Sequence, residues 1–351
     1  MPTPKSAGLR IAVVGATGMV GRELLALLER RRFPVAQLQP FSSGRSLQNV
    51  RFRGRTLQAP AIDAKLLSCC QLVFMVSSEE VARRFGPKLA AGGVWVIDDS
   101  SEFRLDPKVP LVIPEVNSSA LNFHQRLIAG PNCTMTGIAV AGWPLHKAAT
   151  VREVRLATYQ AVSGAGRDAL TEFFDQSRAN AARQTLAPDG RAPIWPCPAR
   201  RALPQPIAGN VFPQVGSFDP QGHCGEETKV ARELRKVWSA AHLRVSVTAV
   251  RVPVVRGHSL AAWLRFSRPF APQRARRLLR HAPGLKLMTA NYPTPLAMAG
   301  LAPVFTGRLR PGIDARELCL WVVSDNLLKG AALNSVQIAE HILRKGWLKR
   351  P

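Results

Sequence analysis

LRIAVVGATGMVG, running from Leu9 to Gly21, is the stretch that decides the fold. Its first six residues are apolar except for Arg10 and rich in β-branched side chains, the composition of a strand buried on both faces. Glycines follow at Gly15, Gly18 and Gly21, and an amphipathic helical pattern continues to about Arg32. A strand that turns through glycines into a helix lets the backbone approach a pyrophosphate, and the helix N-terminus stabilises its charge. The spacing is GxxGxxG rather than GxGxxG, and such a run also serves as a plain tight turn. Its place at the start of an alternating pattern favours the nucleotide site.

Outward from this stretch, apolar runs recur at Leu72–Val76, Val94–Ile97, Leu111–Ile113 and Leu127–Ala129, with a helical stretch at Glu79–Ala90 between the first two. Strands alternating with helices predict an α/β fold: a Rossmann-like, doubly wound parallel sheet over residues 1–131. The pattern then changes. Longer strands at Arg152–Val162, Leu243–Val252, Ser259–Phe266, Val304–Arg310 and Leu318–Val323 are interleaved with helices near Arg167–Ala182 and Gly225–Ala241. They predict a second, α+β domain over residues 132–330, catalytic and dimerising, with a mostly antiparallel sheet. A Pro-rich irregular stretch covers Ala187–Pro213, and a last helix near Ala331–Trp347 returns to the first domain as part of residues 331–351.

With 351 residues the chain has room for two cores, and a 46% hydrophobic content excludes a disordered protein. No apolar run reaches the roughly 18 residues of a membrane helix, and no apolar segment precedes the first strand as in a secretory signal. The six cysteines show neither a CxxC pair nor metal-ligand spacing, so reduced thiols, a cytoplasmic location and no metal are expected. The net charge of +25 would suit nucleic acid, but the basic residues are scattered and not interleaved with aromatics, which argues against that partner.

The second strand, near Gln37–Phe41, ends in Ser42-Ser43-Gly44-Arg45-Ser46. An acid at this point would bind a ribose 2′-hydroxyl. Hydroxyls and an arginine suit a 2′-phosphate instead, so NADP is expected over NAD. PNCT, Pro131–Thr134, follows an apolar strand and opens a helix; the dipole there favours a thiolate on Cys133 and the amides can receive an oxyanion. A buried inert cysteine is the bland alternative. RVPVVRGHS, Arg251–Ser259, sets His258 beside a glycine, where it can serve as base to a thiol. TYQAVSGAG, Thr158–Gly166, runs from a strand into a Gly-rich turn, with Gln160 placed to orient substrate or thiolate.

These motifs, together with DDSSEFRLD, PLVIPEVN, NVFPQVGSF, EETK, NYPTPLAMAG and WVVSDNLLKGAA, occur in the order found in aspartate-semialdehyde dehydrogenases, which the chain resembles over nearly its whole length. The resemblance implies reduction of L-aspartyl 4-phosphate with NADPH to aspartate semialdehyde and phosphate, on the way to lysine, threonine and methionine, by a homodimer or tetramer. It implies Cys133 as nucleophile, His258 as acid/base and Gln160 as the positioning residue. Asn132 and Arg104 match groups that hold phosphate, with Ser163 and Gly164 in the adjoining turn. Glu226 and Lys229 match the pair that meets substrate amino and anionic groups, and Arg251 matches the arginine that grips the α-carboxylate. Gly15, Thr17, Gly18, Met19 and Val20 would line the pyrophosphate, Ser43, Arg45 and Ser46 the 2′-phosphate, and Asn326 the nicotinamide.

Two departures stand out. Glu79 and Glu80 follow the third strand where the family has a small turn, and would repel a phosphate unless they point away. Leu328 occupies a place where a basic residue is common. Another acyl-phosphate reductase shares the nucleophile and is the nearest alternative; Glu226, able to bind a free ammonium, favours an unacetylated amino acid semialdehyde. A basic relative that binds anionic partners without turnover is the alternative from another class.

Overall fold

The computed structural model describes residues 8–44, 48–181 and 199–348. The strand read at the start of the chain is β1 (Leu9–Val14), and it passes through the glycine turn into α1 (Met19–Arg30). Next come β2 (Val35–Phe41), a hairpin of β3 (Gln48–Phe52) and β4 (Arg55–Ala59), and α2 (Ala64–Ser68). Then follow β5 (Leu72–Met75), α3 (Glu79–Ala91), β6 (Trp95–Asp98), α4 (Pro114–Asn117) and β7 (Leu127–Ala129). Five of these strands form one parallel sheet in the order β2-β1-β5-β6-β7. The order reverses between β1 and β5, so their carboxyl ends open a crevice, the usual ligand position in such sheets.

Both faces of this sheet are covered. On β5, Val73 and Met75 join a core with Ala82 and Leu89 of α3, while Leu72 and Phe74 join the opposite core with Leu24, Leu25 and Leu28 of α1. Each such Val, Leu, Met or Phe side chain contributes about 1.5–3 kcal/mol on burial, which fixes the register of strands too short to hold themselves.

The rest of the chain opens with α5 (Cys133–Ala149), β8 (Val151–Gln160), α6 (Arg167–Ala181), α7 (Gly225–Val237), β9 (Arg244–Arg251) and β10 (His258–Phe266). It continues through α8 (Pro272–Arg280), β11 (Leu285–Leu287), α9 (Pro295–Met298), β12 (Val304–Pro311) and β13 (Glu317–Ser324). A π-helical turn over Leu328–Ala332 then leads into α10 (Leu333–Arg344). The second sheet has the order β11-β12-β13-β10-β8-β9. Its three central pairings are antiparallel and its two edge pairings parallel. The parallel β8–β9 edge is possible because the long connection through α6 and α7 supplies the crossover that parallel strands need.

On β10, Leu260, Ala262, Leu264 and Phe266 face α5 and α7 in one core. Ala261 and Trp263 face the other way, into an open cavity of about 390 Å³ shared with Tyr292, Arg308 and Trp321. Helix α10 buries Val336, Ile338, Ala339 and Ile342 in the same core as Leu24 and Leu28 of α1. Among the described residues no helix is long and apolar enough to cross a membrane.

The apolar run at Leu111–Ile113 is not a strand. Only Leu111 bridges to Ala129, because Pro110 and Pro114 flank a run too short to build a ladder. The π-helical turn overlaps the start of the expected C-terminal helix, and the β3–β4 hairpin and α8 are further elements that the sequence reading did not include. Of the irregular stretch Ala187–Pro213, residues 187–198 lie outside the described residues; the rest holds turns and one bridge, Phe212 to Arg251.

Candidate active site

Cys133 is the first residue of α5, and Asn132 caps that helix, its side-chain oxygen accepting from the amides of Thr134 at 2.8 Å and Met135 at 3.0 Å. The cap satisfies two of the free donors at the helix end, which leaves the amide of Cys133 itself beside the sulfur. The π-helical turn presses against this point. A Cβ on Gly330 would lie 2.8 Å from the Cβ of Cys133, so only glycine admits the approach. π-turns often mark functional positions.

Behind Cys133 stands a layer of charge supplied by α7. Glu226 receives three hydrogen bonds, from Asn132 Nδ2 at 2.9 Å, Thr134 Oγ1 at 2.9 Å and Gln160 Nε2 at 3.0 Å. Two turns on, Glu233 accepts from Arg104 Nη1 at 3.1 Å and from the Asn132 amide at 2.7 Å, both residues being buried. Arg104 also donates to the Asp99 carbonyl at 2.7 Å. One carboxylate thus holds both the arginine expected to bind phosphate and the backbone of the residue before Cys133.

His258 opens β10, just after Gly257, which has a φ of 94°. Its Nε2 lies 3.4 Å from Cys133 Sγ, and its Nδ1 accepts from the Ala161 amide at 3.0 Å. With Nδ1 so occupied, the neutral ring carries its proton on Nε2, toward the sulfur. Burial, seconded by the Arg251 guanidinium, lowers the imidazole pKa to about 3, so this ring is neutral at physiological pH. Arg251, at the end of β9, donates to the Ala161 carbonyl at 2.7 Å. A Cβ on Gly164 would meet Arg251 Nη1 and His258 Cε1, each at 3.2 Å, which explains a glycine there. The helix end alone predicts an acidified thiol. Instead burial and the Glu226 carboxylate push the Cys133 thiol up to about 11, against the pull of Arg104, Arg251 and a Thr134 hydrogen bond.

Two adjoining cavities meet at this point. The inner one, about 250 Å³, is lined by Ser77, Arg104, Asn132, Cys133, Asn326 and Gly330 among others. The outer groove, about 670 Å³, runs past Thr17, Gly18, Met19, Ser43, Gln48 and Arg167. Val20, Val76, Ser163, Gly164 and Leu327 line both. Asn326 is fixed by Ser163 and accepts from the Gly257 amide at 2.9 Å. Gly15 lines neither cavity, but its φ of 82° and a would-be Cβ 2.0 Å from the Val76 carbonyl oxygen let the turn pass between β1 and β5. Glu226, Gln160, Arg251 and His258 adjoin Cys133 without lining the inner cavity, and Lys229 makes no hydrogen bond or ion pair among the described residues. Arg45 and Ser46 lie outside the described residues.

A nicotinamide dinucleotide fits this cleft. Ser77 Oγ, Asp99 Oδ2 and Arg104 Nε, all from residues lining the inner cavity, are buried without a hydrogen-bond partner, and unpaired buried polar atoms of this kind await a ligand. Glu79 and Glu80 line neither cavity; Glu79 accepts from Ser101, and both stand in the first turn of α3, favourably placed for its dipole. Leu328 is buried in the core, and the adjacent Lys329 takes the cationic part inward. Its amine donates to Glu115 at 2.6 Å, Asn334 at 2.9 Å and Gln337 at 2.7 Å.

Glu233, Asp99, Ser77, Gly330 and Arg167 were not singled out by the sequence. Glu233 alone had a usable signal, since it follows Glu226 and Lys229 along one helical face.

Comparison with known proteins shows the family. Residues 10–124 match the domain described as "Semialdehyde dehydrogenase, NAD binding domain", and residues 143–329 match "Semialdehyde dehydrogenase, dimerisation domain". An aspartate-semialdehyde dehydrogenase of Synechocystis is 40% identical over 99% of this chain and 100% of its own. One of Bacillus subtilis is 38% identical over 95% of this chain and 97% of its own. Among solved structures, aspartate semialdehyde dehydrogenase II of Vibrio cholerae has a TM-score of 0.87 at 34% identity, covering 96% of this chain and 99% of its own. The same enzyme complexed with ASA also scores 0.87, at 33% identity. By sequence over its whole length and by fold, this chain belongs to the aspartate-semialdehyde dehydrogenase family.

Proposed function

We propose that the chain converts L-aspartyl 4-phosphate and NADPH reversibly to L-aspartate 4-semialdehyde, NADP and phosphate, through a thioester on Cys133, for the synthesis of lysine, threonine and methionine. The observation that carries this is Cys133 at the N-terminus of α5, 3.4 Å from His258 Nε2 and lining a cavity continuous with the dinucleotide groove. The relatives' shared name, and the complex of one with ASA, support the substrate.

When bound, the nicotinamide supplies or accepts the hydride; the remaining work falls to side chains. In the reductive direction the Cys133 thiolate attacks the acyl carbon, and phosphate leaves as the thioester forms. Phosphate would be held by Arg104, with Asn132, Ser163 and Gly164 beside it. The oxyanion that develops on the acyl oxygen meets the Nε2–H of His258 and the amide of Cys133 itself, the other amides at the start of α5 being bonded to Asn132 and Glu233. Collapse of the thiohemiacetal then expels the thiolate, which the same Nε2–H stabilises. Gln160 orients Glu226, whose negative charge suits the substrate ammonium, and Arg251 suits the α-carboxylate, with Lys229 a further cation on α7.

NADP is preferred here over NAD because the loop after β2 carries Ser42, Ser43, Arg45 and Ser46 and no acid; Gly15, Thr17, Gly18, Met19 and Val20 would cradle the pyrophosphate, and Asn326 the nicotinamide. The division proposed is residues 1–131 with 331–351 as the cofactor domain and 132–330 as the catalytic and dimerisation domain. The open face of the second sheet, with Trp263, Tyr292 and Trp321 exposed to a cavity, suits pairing with a second copy in the cytoplasm.

The deciding experiment is phosphate-dependent reduction of NADP by the purified protein with aspartate semialdehyde, followed by absorbance of the reduced cofactor. Turnover that requires phosphate and favours NADP over NAD is expected. Absence of turnover with this substrate would refute the assignment.

A further inference from the structure

The dinucleotide groove has a wall contributed from outside the glycine-rich domain. Helix α6 starts at Arg167, immediately after Gly166, whose φ of 98° turns the chain into the helix. Arg167 Nη2 donates to the Thr17 carbonyl at 2.9 Å, and Arg22 Nε donates to the same carbonyl at 3.1 Å. Arg22 also reaches the Asn49 carbonyl at 3.4 Å, whereas the other donors of Arg167 make no hydrogen bond among the described residues. Two guanidinium groups therefore converge on one oxygen of the Gly-rich loop, and neither has an ion-pair partner among the described residues. Asp168 lines the groove beside them without pairing with either. Like charges held this close repel one another, and an anion set between them relieves the repulsion.

We propose that Arg167, with Arg22 beside it, binds the phosphates of the dinucleotide, so that the catalytic part of the chain supplies a cation to a ligand otherwise held by backbone amides. This rests on the reading of the groove as the NADP site. The location favours it: Arg167 borders the same groove as Thr17, Gly18 and Ser43, where the phosphates of a dinucleotide would lie. Arg167 also adjoins the turn carrying Ser163 and Gly164, and Gly164 packs on Arg251 and His258. Grip on the cofactor phosphates therefore holds in place the turn that covers the catalytic histidine.

The test is titration of NADPH by its own fluorescence, without substrate, for wild type, Arg167→Ala, Arg167→Lys and the control Arg178→Ala at three salt concentrations. Arg178 lies in the same helix and pairs with Asp175 at the surface. Loss of a charge-assisted hydrogen bond should raise the Kd of Arg167→Ala about 10- to 100-fold and flatten its salt dependence. Arg167→Lys should recover part of the loss, and Arg178→Ala should match wild type. A Kd for Arg167→Ala within about twofold of wild type would overturn the proposal while leaving the NADP reading intact. A weakened Kd with an unchanged salt dependence would also overturn it, since Arg167 would then be a strut between the two parts of the chain. Wild type that binds no NADPH would remove the reading of the groove and this proposal together.

Discussion

The two walls of the cleft are built on opposite principles. The cofactor wall is made largely of backbone: glycines bring a helix N-terminus and bare amides to the groove, and charged side chains, Arg167 and Arg22, stand at its edge. The catalytic wall is made of side chains: Cys133, His258, Arg104, Arg251, Glu226 and Glu233 come from five separate segments and are held in a buried network. The first wall should fail when an atom is added, the second when a charge or donor is removed. Replacement of Cys133 by Ala is the extreme case on the catalytic wall. Turnover should fall by at least about 10³-fold, the scale seen when a covalent nucleophile is removed, while NADPH binding survives. Substantial residual turnover would show that another group attacks the substrate.

Removal of Glu233 tests the network without touching Cys133. Glu233→Ala leaves Arg104 buried and unpaired and the Asn132 amide without its acceptor. Breaking one partner of a buried pair costs about 3–5 kcal/mol, so the melting temperature should fall by several degrees. A loss below about 1 kcal/mol would mean that Arg104 has another anion within reach. On the cofactor wall the matching change is Gly15→Ala. A φ of 82° and a Cβ placed 2.0 Å from the Val76 carbonyl oxygen predict a loss of at least about 2 kcal/mol, together with weakened NADPH binding. Unchanged NADPH affinity in a folded Gly15→Ala protein would break the comparison, because the turn would then be mere punctuation.

The same contrast explains what was legible in the sequence. The glycine turn, most of the individual strands and the helix start at Cys133 are local, and periodicity with Gly, Pro and Asn signals reports local structure well. The long-range meeting of Cys133 with His258 was legible only through the resemblance, since nothing in either segment encodes a distance of 125 residues. Glu233 shares a helical face with Glu226, but a carboxylate on an amphipathic helix reads as solvated, so its burial shows only with its partner, 129 residues away. The thiol was misread in its acidity for a related reason. A helix N-terminus is visible in PNCT, but burial and the facing Glu226 depend on the tertiary fold. The π-turn escaped because DNLLKGAA has an ordinary helical composition, and the close contact of Gly330 with Cys133 is a property of two segments together.

The finest distinction concerns how the catalytic wall handles protons. Since Ala161 donates to His258 Nδ1, the ring presents Nε2–H to the sulfur, and a base would need that nitrogen empty. The thiohemiacetal oxyanion expels a thiolate without any proton transfer, so a hydrogen-bond donor is sufficient at this step. His258→Gln, which can place an amide N–H near the position of Nε2, should then cost about tenfold in kcat. His258→Ala should cost the 10²- to 10⁴-fold typical of losing a catalytic side chain. The pH dependence follows from the same arrangement. With the imidazole near 3 and the thiol near 11, alkylation of Cys133 by iodoacetamide should rise about tenfold per pH unit from 7 to 10. No inflection should appear near the ordinary histidine value. Equal losses in His258→Gln and His258→Ala, with an inflection near pH 6.5, would instead make the ring a proton carrier that must break its bond to Ala161 on every turnover.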